Sequence, residues 1–157
     1  MQMALQQAQE AESQEEVPIG AVIVDQSGQV IAQAYNRREL DQDSTKHAEI
    51  IALQRACQKK KTWRLNDCSL FVTLEPCAMC AGAIINARLQ DVYFAALDPK
   101  AGACGSVVNL FTVPQFNHHP GLVRGLYREQ ASEMLKDFFR KIRQKKKREK
   151  EADSGKK

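Results

Sequence analysis

The chain has 157 residues, 43% hydrophobic and 27% charged, and this ordinary composition argues against a fibrous or wholly disordered protein and favours one globular domain. Lys and Arg number 23 and Asp and Glu 19, but the net charge of +4 is unevenly spread. The segment 136–157 holds 11 basic and 4 acidic residues, whereas the other 135 residues hold 12 and 15. The basic end indicates contact with nucleic acid or an anionic membrane, or else a solvated tail that aids solubility.

The alternation of apolar strands and amphipathic helices along the chain predicts an α/β layered domain. The helices show apolar residues at helical spacing, and one begins at Pro76, where a missing N–H costs nothing. Turn residues at 26–28 between two β-branched runs indicate a hairpin. The segment 144–157 offers no apolar face, which favours a basic tail that is extended or disordered. In chain order we predict helix 1–16, strands 19–24 and 30–35, helix 47–59, strand 69–74, helix 76–87, strand 91–97, a glycine-rich loop 98–105, a short helix 106–111, strand 122–127 and helix 129–142.

The five cysteines are odd in number and too few for a disulfide scaffold in a chain of this size. No basic and apolar leader precedes Val17, and the longest apolar runs, such as 19–24, are far shorter than a membrane span. We therefore expect a cytoplasmic protein with no membrane partner. In a reducing compartment, closely spaced cysteines indicate a metal or catalytic site.

Two short motifs place metal-ligand side chains at the starts of predicted helices. Cys77 and Cys80, which follow Pro76, are three residues apart and share a helical face, so both sulfurs can reach one ion. His47 opens another helix and adds a third ligand. Three protein ligands are the number found in catalytic zinc sites, where the fourth position is kept for water. Glu49 is then free to move protons as a general base and acid.

These motifs resemble the signature of the zinc-dependent cytidine deaminase superfamily. Flanking segments are similar, more narrowly, to the bacterial tRNA-specific adenosine deaminases, and the resemblance covers about residues 1–143. It implies a three-layer α/β/α fold with a mixed central sheet of about five strands, a deaminase domain over 1–143, and a homodimer. The segments that carry it are 17–22, 34–37, 70–77, 98–100, 116–118 and 138–140.

The resemblance also implies an activity and a set of site residues. The reaction would be hydrolytic deamination of adenosine to inosine at the wobble position of a tRNA anticodon, of the tRNA-Arg ACG type. Glu49 would carry a proton from an activated water to N1 of adenine. One zinc ion per subunit would be bound by His47, Cys77 and Cys80. The anticodon stem-loop would be contacted by Asn36 and the Ala48 backbone N–H at the flipped base, by the loop residues Asp98, Lys100 and Asn117, and by Phe139 and Arg140 on the last helix.

Two other functions stay open on sequence grounds. The same chemistry could act on a free base, nucleoside or nucleotide, of the cytidine or guanine type. A non-catalytic RNA-binding module could instead hold a structural zinc, but that function needs a fourth ligand which the motifs do not supply, and it leaves Glu49 without a role.

Several single residues also have a plainer interpretation. Asn36 and Asp98 are equally typical of turns. One of Phe138 and Phe139 is expected to pack in the core. Among the remaining cysteines, Cys57 and Cys68 are expected to be core or strand-edge thiols, and Cys104 a bystander near the site.

Overall fold

The computed structural model describes residues 1–154 of the chain. Five strands within this range form one mixed sheet. The strands lie side by side in the order β2-β1-β3-β4-β5, so that β2 and β5 are the edge strands and β1, β3 and β4 lie between them. β1 pairs antiparallel with β2 and β3, whereas β4 pairs parallel with β3 and β5. The strands are β1 (Gly20–Asp25), β2 (Val30–Tyr35), β3 (Cys68–Leu74), β4 (Asp91–Ala96) and β5 (Gly121–Arg124).

Helices cover both faces of this sheet. The larger core lies on the face covered by α3 and α4, where Ile51 and Ile84 pack against Leu70 and Phe94 of the strands. The opposite face carries α1 and α5 and a smaller cluster of buried residues. The predicted three-layer α/β/α architecture is confirmed. The helices are α1 (Gln2–Ser13), the four-residue α2 (Arg38–Asp41), α3 (Ala48–Lys60), α4 (Ala78–Asn86) and α5 (Arg128–Ser154), and a 3₁₀ turn covers Leu110–Thr112.

The face of α1 that meets the sheet is built from small residues. Ala4, Ala8 and Ala11 are fully buried. They lie so close to β1 that a Cβ added at Gly20 would come 2.0 Å from the Ala4 carbonyl oxygen. This close approach requires glycine at position 20 and small residues on the facing side of α1.

The sheet topology brings three loops to one edge. β3 and β4 are parallel, and β2 runs in the same direction because it is antiparallel to β1, which is antiparallel to β3. The segments that follow β2, β3 and β4 therefore meet at the carboxyl edge of the sheet, where ligands bind in many open α/β sheets. The predicted site residues at 36–49, 75–80 and 98–100 all belong to these segments or to the helices that they open.

The structure differs from the prediction at one predicted helix and at one short helix that was not predicted. The predicted helix over 106–111 is wrong, because Gly105 has a φ of 130° and the backbone N–H of Ser106 binds the Glu75 side chain; only Leu110–Thr112 forms a helical turn. The four residues of α2 were not predicted, since they lie in a polar stretch with no apolar periodicity.

The predicted extended or disordered tail over 144–157 also differs from the structure, in which α5 continues to Ser154. This extension is rich in Lys, Arg, Glu and Gln, which are good helix formers, and lengthening an existing helix avoids the cost of nucleation. Residues 155–157 lie outside the described residues. Among the helices of residues 1–154, none combines the length and the apolar character needed to cross a membrane.

Candidate active site and metal centre

The three predicted metal ligands lie at the beginnings of two helices. His47 is the N-cap residue of α3 and Cys77 that of α4, and both have extended backbone with ψ near 150° and 175°. Cys80 lies in the first turn of α4 and is fully buried. The positive ends of both helix dipoles therefore face the same small volume, which favours thiolate over thiol there.

The ligand atoms already have the spacing that a tetrahedral ion requires. His47 Nδ1 lies 3.6 Å from Cys77 Sγ and 3.5 Å from Cys80 Sγ, and all three donor atoms lie within 4.8 Å of one another. Zinc bonds of about 2.3 Å to sulfur and about 2.0 Å to nitrogen, at tetrahedral angles, place sulfur and nitrogen about 3.5 Å apart. Two thiolates and one imidazole thus fit zinc in both chemistry and spacing.

A hydrogen bond joins the sulfurs of Cys77 and Cys80. A hydrogen bond from Cys80 lowers the pKa of Cys77 to about 4, although burial alone would raise it. The same hydrogen bond, together with burial, raises the pKa of Cys80. The hydrogen bond with Cys77 also raises the pKa of His47. Cys77 is therefore ready to bind a cation as a thiolate, and Cys80 must release its proton when an ion binds.

Glu49 is the buried carboxyl group of the site. It lies in the first turn of α3 with 4% of its surface exposed, and burial raises its pKa to about 7. Its side chain also accepts a hydrogen bond from Cys80, which is one of the predicted ligands. The two-residue separation from His47 would put the two side chains on different sides of a long helix. At the first turn of α3, both side chains reach the same volume.

Asn36 lies next to the predicted ligand His47 because a backbone hydrogen bond joins the segments that hold them. It directly follows β2, and the backbone N–H of Arg37 donates to the carbonyl of Lys46 at 3.0 Å. This bond brings Asn36 beside His47, and Asn36 is 2% exposed. Ala48, the first residue of α3, is fully buried at the same place.

The loop after β4 is attached to the ligand-bearing loop by a glutamate that the sequence analysis missed. Glu75 is 2% exposed and accepts the backbone N–H groups of Asp98, Cys104 and Ser106 at 3.0 to 3.1 Å, as well as the Ser106 hydroxyl. Burial alone would raise the pKa of Glu75, but these hydrogen bonds lower it overall. A Cβ at Gly102 would come 2.4 Å from the Glu75 carboxyl carbon, so only glycine fits there. The signal in the sequence that could have identified Glu75 is a charged residue directly after a buried strand.

The remaining predicted substrate residues are spread over the outer loops and α5. Asp98 Oδ1 accepts the backbone N–H groups of Lys100 and Ala101, so its side chain is engaged in a turn, while Lys100 itself is exposed. Asn117 is exposed. Within residues 1–154, no hydrogen bond joins Lys100 or Asn117 to the three predicted metal ligands.

On α5 the two phenylalanines divide as predicted, one in the core and one outside. Phe138 is 6% exposed, and Phe139 is 43% exposed and packs edge-to-face on it with ring centroids 5.4 Å apart. Arg140 is exposed and pairs with Asp137 at 2.7 Å. Of the other cysteines, Cys68 and Cys104 are buried and Cys57 half-buried, which agrees with the prediction of core thiols and of a bystander near the site.

Comparison with known proteins places this arrangement among deaminases. A family model described as MafB19-like deaminase matches residues 1–143. The tRNA-specific adenosine deaminase of Bacillus subtilis (strain 168) is 47% identical over 147 residues, which are 94% of this chain and 91% of that protein.

Two solved structures resemble the fold as well as the sequence. One, from work on A-to-I editing by tRNA:A34 deaminases at the wobble position of transfer RNA, superimposes with a TM-score of 0.83 at 44% identity, covering 86% of this chain and 97% of the other. A guanine deaminase from Bacillus subtilis superimposes with a TM-score of 0.60 at 31% identity, covering 91% and 90%. The likeness to the tRNA-acting enzyme is the greater of the two in both shape and sequence.

Proposed function

We propose, from the premise that this chain belongs to the MafB19-like deaminases and to the family of tRNA-specific adenosine deaminases, that it converts adenosine to inosine at the wobble position of a tRNA anticodon. The observation that carries this proposal is the triangle of His47, Cys77 and Cys80 with the buried carboxyl of Glu49 beside it. Three ligands and a free proton carrier are the parts that hydrolytic deamination needs.

Zinc is the proposed cofactor, one ion per subunit, held by His47 Nδ1 and the sulfurs of Cys77 and Cys80. When bound, zinc lowers the pKa of water towards about 7 and so makes a nucleophile available at neutral pH. The three side chains supply two negative charges and leave one coordination position free. A structural zinc would need a fourth protein ligand, and the group found among residues 1–154 has three, which argues against a non-catalytic module.

Glu49 is the proposed proton carrier. Its carboxylate accepts a proton from the attacking water and donates it to N1 of adenine while the water oxygen bonds to C6. The second water proton passes through the same carboxylate to the 6-amino group, the C6–N bond breaks, and ammonia leaves. Adenosine and water thereby become inosine and ammonia. Burial of Glu49 keeps its proton from exchanging freely with solvent between these steps.

The proposed RNA contacts extend outward from this centre. The buried Asn36 and the N–H of Ala48 would hold the flipped base, and the exposed Lys100 and Asn117 the neighbouring nucleotides of the anticodon stem-loop. Asp98 would act there mainly by shaping the turn that presents Lys100. Phe139 offers an exposed ring on which a base can stack, and Arg140 an exposed guanidinium for phosphate.

The proposed assembly is a homodimer in the cytoplasm, with the deaminase domain over 1–143 followed by a basic tail over 144–157. The match of the family model to 1–143 supports that boundary, although α5 runs through it. Exposed apolar side chains near the site support self-association: Met79 on α4 is 37% exposed, and Val107 and Val108 are 56% and 50% exposed.

A free-base deaminase is the second candidate, favoured by the 31% identity to a guanine deaminase. The experiment that separates the two is incubation of the zinc-loaded protein with transcribed tRNA-Arg carrying an ACG anticodon, and separately with free adenosine, cytidine and guanine. A transcript with guanosine at the wobble position is the control. Inosine found only at the wobble position of the ACG transcript supports the proposal, and turnover of a free compound without tRNA turnover would refute it.

A further inference from the structure

Glu16 is a buried acid that the chemistry proposed above does not use. It follows α1 at a turn in which Glu15 has a φ of 60° and the N–H of Glu16 donates to the Ala11 carbonyl at 2.9 Å. This turn leaves Glu15 exposed and directs the Glu16 side chain inward, where it is 0% exposed. A fully buried carboxyl group is costly unless hydrogen bonds satisfy it.

The two carboxyl oxygens of Glu16 bind the segment that precedes the metal ligand His47. Oε1 accepts the backbone N–H of Leu40 at 2.7 Å, in the first turn of α2, whose own N-cap side chain makes no cap bond. Oε2 accepts Nδ2 of Asn36 at 3.2 Å. Glu16 therefore holds both the backbone of α2 and the side chain that lies beside His47.

The polarity of this contact determines which atom Asn36 offers to a substrate. A carboxylate only accepts hydrogen bonds, so Asn36 must turn its amide nitrogen towards Glu16. Its Oδ1 then points away from Glu16, and within residues 1–154 no group donates to that oxygen. Adenosine offers donors in its 6-amino group and its ribose hydroxyls, and these are groups that such an oxygen can accept from.

We propose that Glu16 is a positioning residue: it fixes the amide of Asn36 so that Oδ1 is presented to a hydrogen-bond donor of the substrate nucleotide. The proposal rests on the proposed function, since it takes Asn36 to contact the substrate. Glu16 touches neither substrate nor metal ligand, and it acts through Asn36.

The variant Glu16→Gln tests this directly, because it keeps the shape of the side chain and replaces one hydrogen-bond-accepting oxygen with an NH2 group, which donates. The Leu40 N–H can only donate a hydrogen bond, so the remaining carbonyl oxygen of the glutamine stays with Leu40 and the new NH2 group faces Asn36. Asn36 must then flip and use Oδ1 to accept that hydrogen bond. We expect unchanged zinc content, a melting temperature close to that of the parent, and a loss of about tenfold or more in kcat/KM on the ACG transcript.

The matched control is Glu15→Gln, which changes the neighbouring exposed acid and should leave kcat/KM, zinc content and melting temperature as they are. A loss of activity in Glu15→Gln equal to that in Glu16→Gln would overturn the proposal, because it would reflect a general charge effect.

Coupling to Asn36 separates positioning from a structural role. In an Asn36→Ala background, Glu16→Gln should change kcat/KM by less than about threefold, because the group it orients is gone. Equal losses in both backgrounds would overturn the proposal.

A rescue keeps the test valid if Glu16→Gln alone is too unstable to assay. Asn36→Asp sets two carboxylates against each other, and adding Glu16→Gln restores a donor–acceptor pair with an oxygen still free, so the double variant should exceed Asn36→Asp by about tenfold.

The outcome also separates this proposal from the proposed function. If the parent protein deaminates the wobble adenosine and the variants show no coupling and no rescue, the role of Glu16 is refuted while the function stands. If the parent protein leaves the transcript unchanged, the proposed function is refuted before any variant is compared.

Discussion

The proposed metal-ligand centre, formed by His47, Cys77 and Cys80, and the far end of α5 differ in burial, in charge and in how each side chain is held. Cys80 and Glu49 are buried at the first turns of two helices, and hydrogen bonds join them to each other and to their neighbours. By contrast, every residue from 143 to 153 is exposed. The ion pairs of that segment, such as Lys147 with Glu151 at 3.9 Å, join exposed partners. The first region depends on the positions of single atoms and the second on summed charge.

This difference teaches how the two regions contribute to function. Buried donor atoms at fixed spacing bind an ion and move a proton, and solvent cannot replace a single missing atom among them. Exposed lysines attract phosphate collectively, and each one contributes little, because salt screens it. A single substitution in the first region should therefore remove most of the ion binding or proton transfer, whereas substitutions in the second should weaken phosphate binding gradually.

The largest effect is expected from Cys80→Ala. Removing one of three ligands should weaken zinc binding more than the roughly 10–100-fold that loss of an outer hydrogen-bond partner causes. Metal analysis of the purified variant checks this, with Cys57→Ala as control, because Cys57 lies outside the site and should leave zinc content unchanged. Undiminished zinc in Cys80→Ala would mean that the ligand set is wrong.

The next effect is expected from Glu49→Gln, which removes proton transfer and no ligand. Turnover on the ACG transcript should fall by about 10²–10⁴-fold while zinc content and tRNA binding are kept. Glu10→Gln, a change of an exposed acid on α1, is the control for loss of one negative charge. Near-normal turnover in Glu49→Gln would refute the proposed mechanism.

A smaller effect is expected from Glu75→Gln, which acts beside the first region, where Glu75 attaches the loop after β4 to the loop that bears Cys77. The new amide group would face backbone N–H groups that now bind an oxygen, so the free energy of unfolding should fall by about 2 kcal/mol. Thermal unfolding should then begin several degrees lower, by about 4–8 °C. Ser106→Ala, which removes one hydroxyl donor and keeps the backbone bonds, should cost less. Equal melting temperatures for Glu75→Gln and the parent would show that the loop does not depend on this carboxylate.

The sequence predicted the group of His47, Cys77 and Cys80 because each of its two motifs has a local signal. The two motifs lie 30 and 33 residues apart, and the resemblance to zinc-dependent deaminases predicted that they meet. A three-residue spacing on one helical face and a His-x-Glu motif at a helix start are set by helix geometry alone. Glu16 and Glu75 were missed because no motif marks either residue, and their partners, 20 to 31 residues away in the chain, are brought to them by the fold. In the 144–157 tail the prediction weighed hydrophobic pattern and neglected helix propensity, which continues α5 through Ser154.

The smallest effect is expected from the basic end of α5, and it should be seen mainly in the salt dependence of tRNA binding. Deleting 144–157 removes seven basic and three acidic residues. Part of that charge is already engaged in exposed ion pairs, since Lys145 lies 3.5 Å from Glu15 and Lys147 3.9 Å from Glu151. Each phosphate that the shortened protein no longer binds should reduce the slope of log affinity against log salt by about 0.7–0.9.

A matched variant with Gln at Lys145, Lys146, Lys147 and Arg148 keeps the length of the chain and removes only charge, so it should shift the slope by a similar amount. A slope unchanged in both proteins would assign the tail to solubility, and a change in the deletion alone would assign its effect to the helix rather than to its charge.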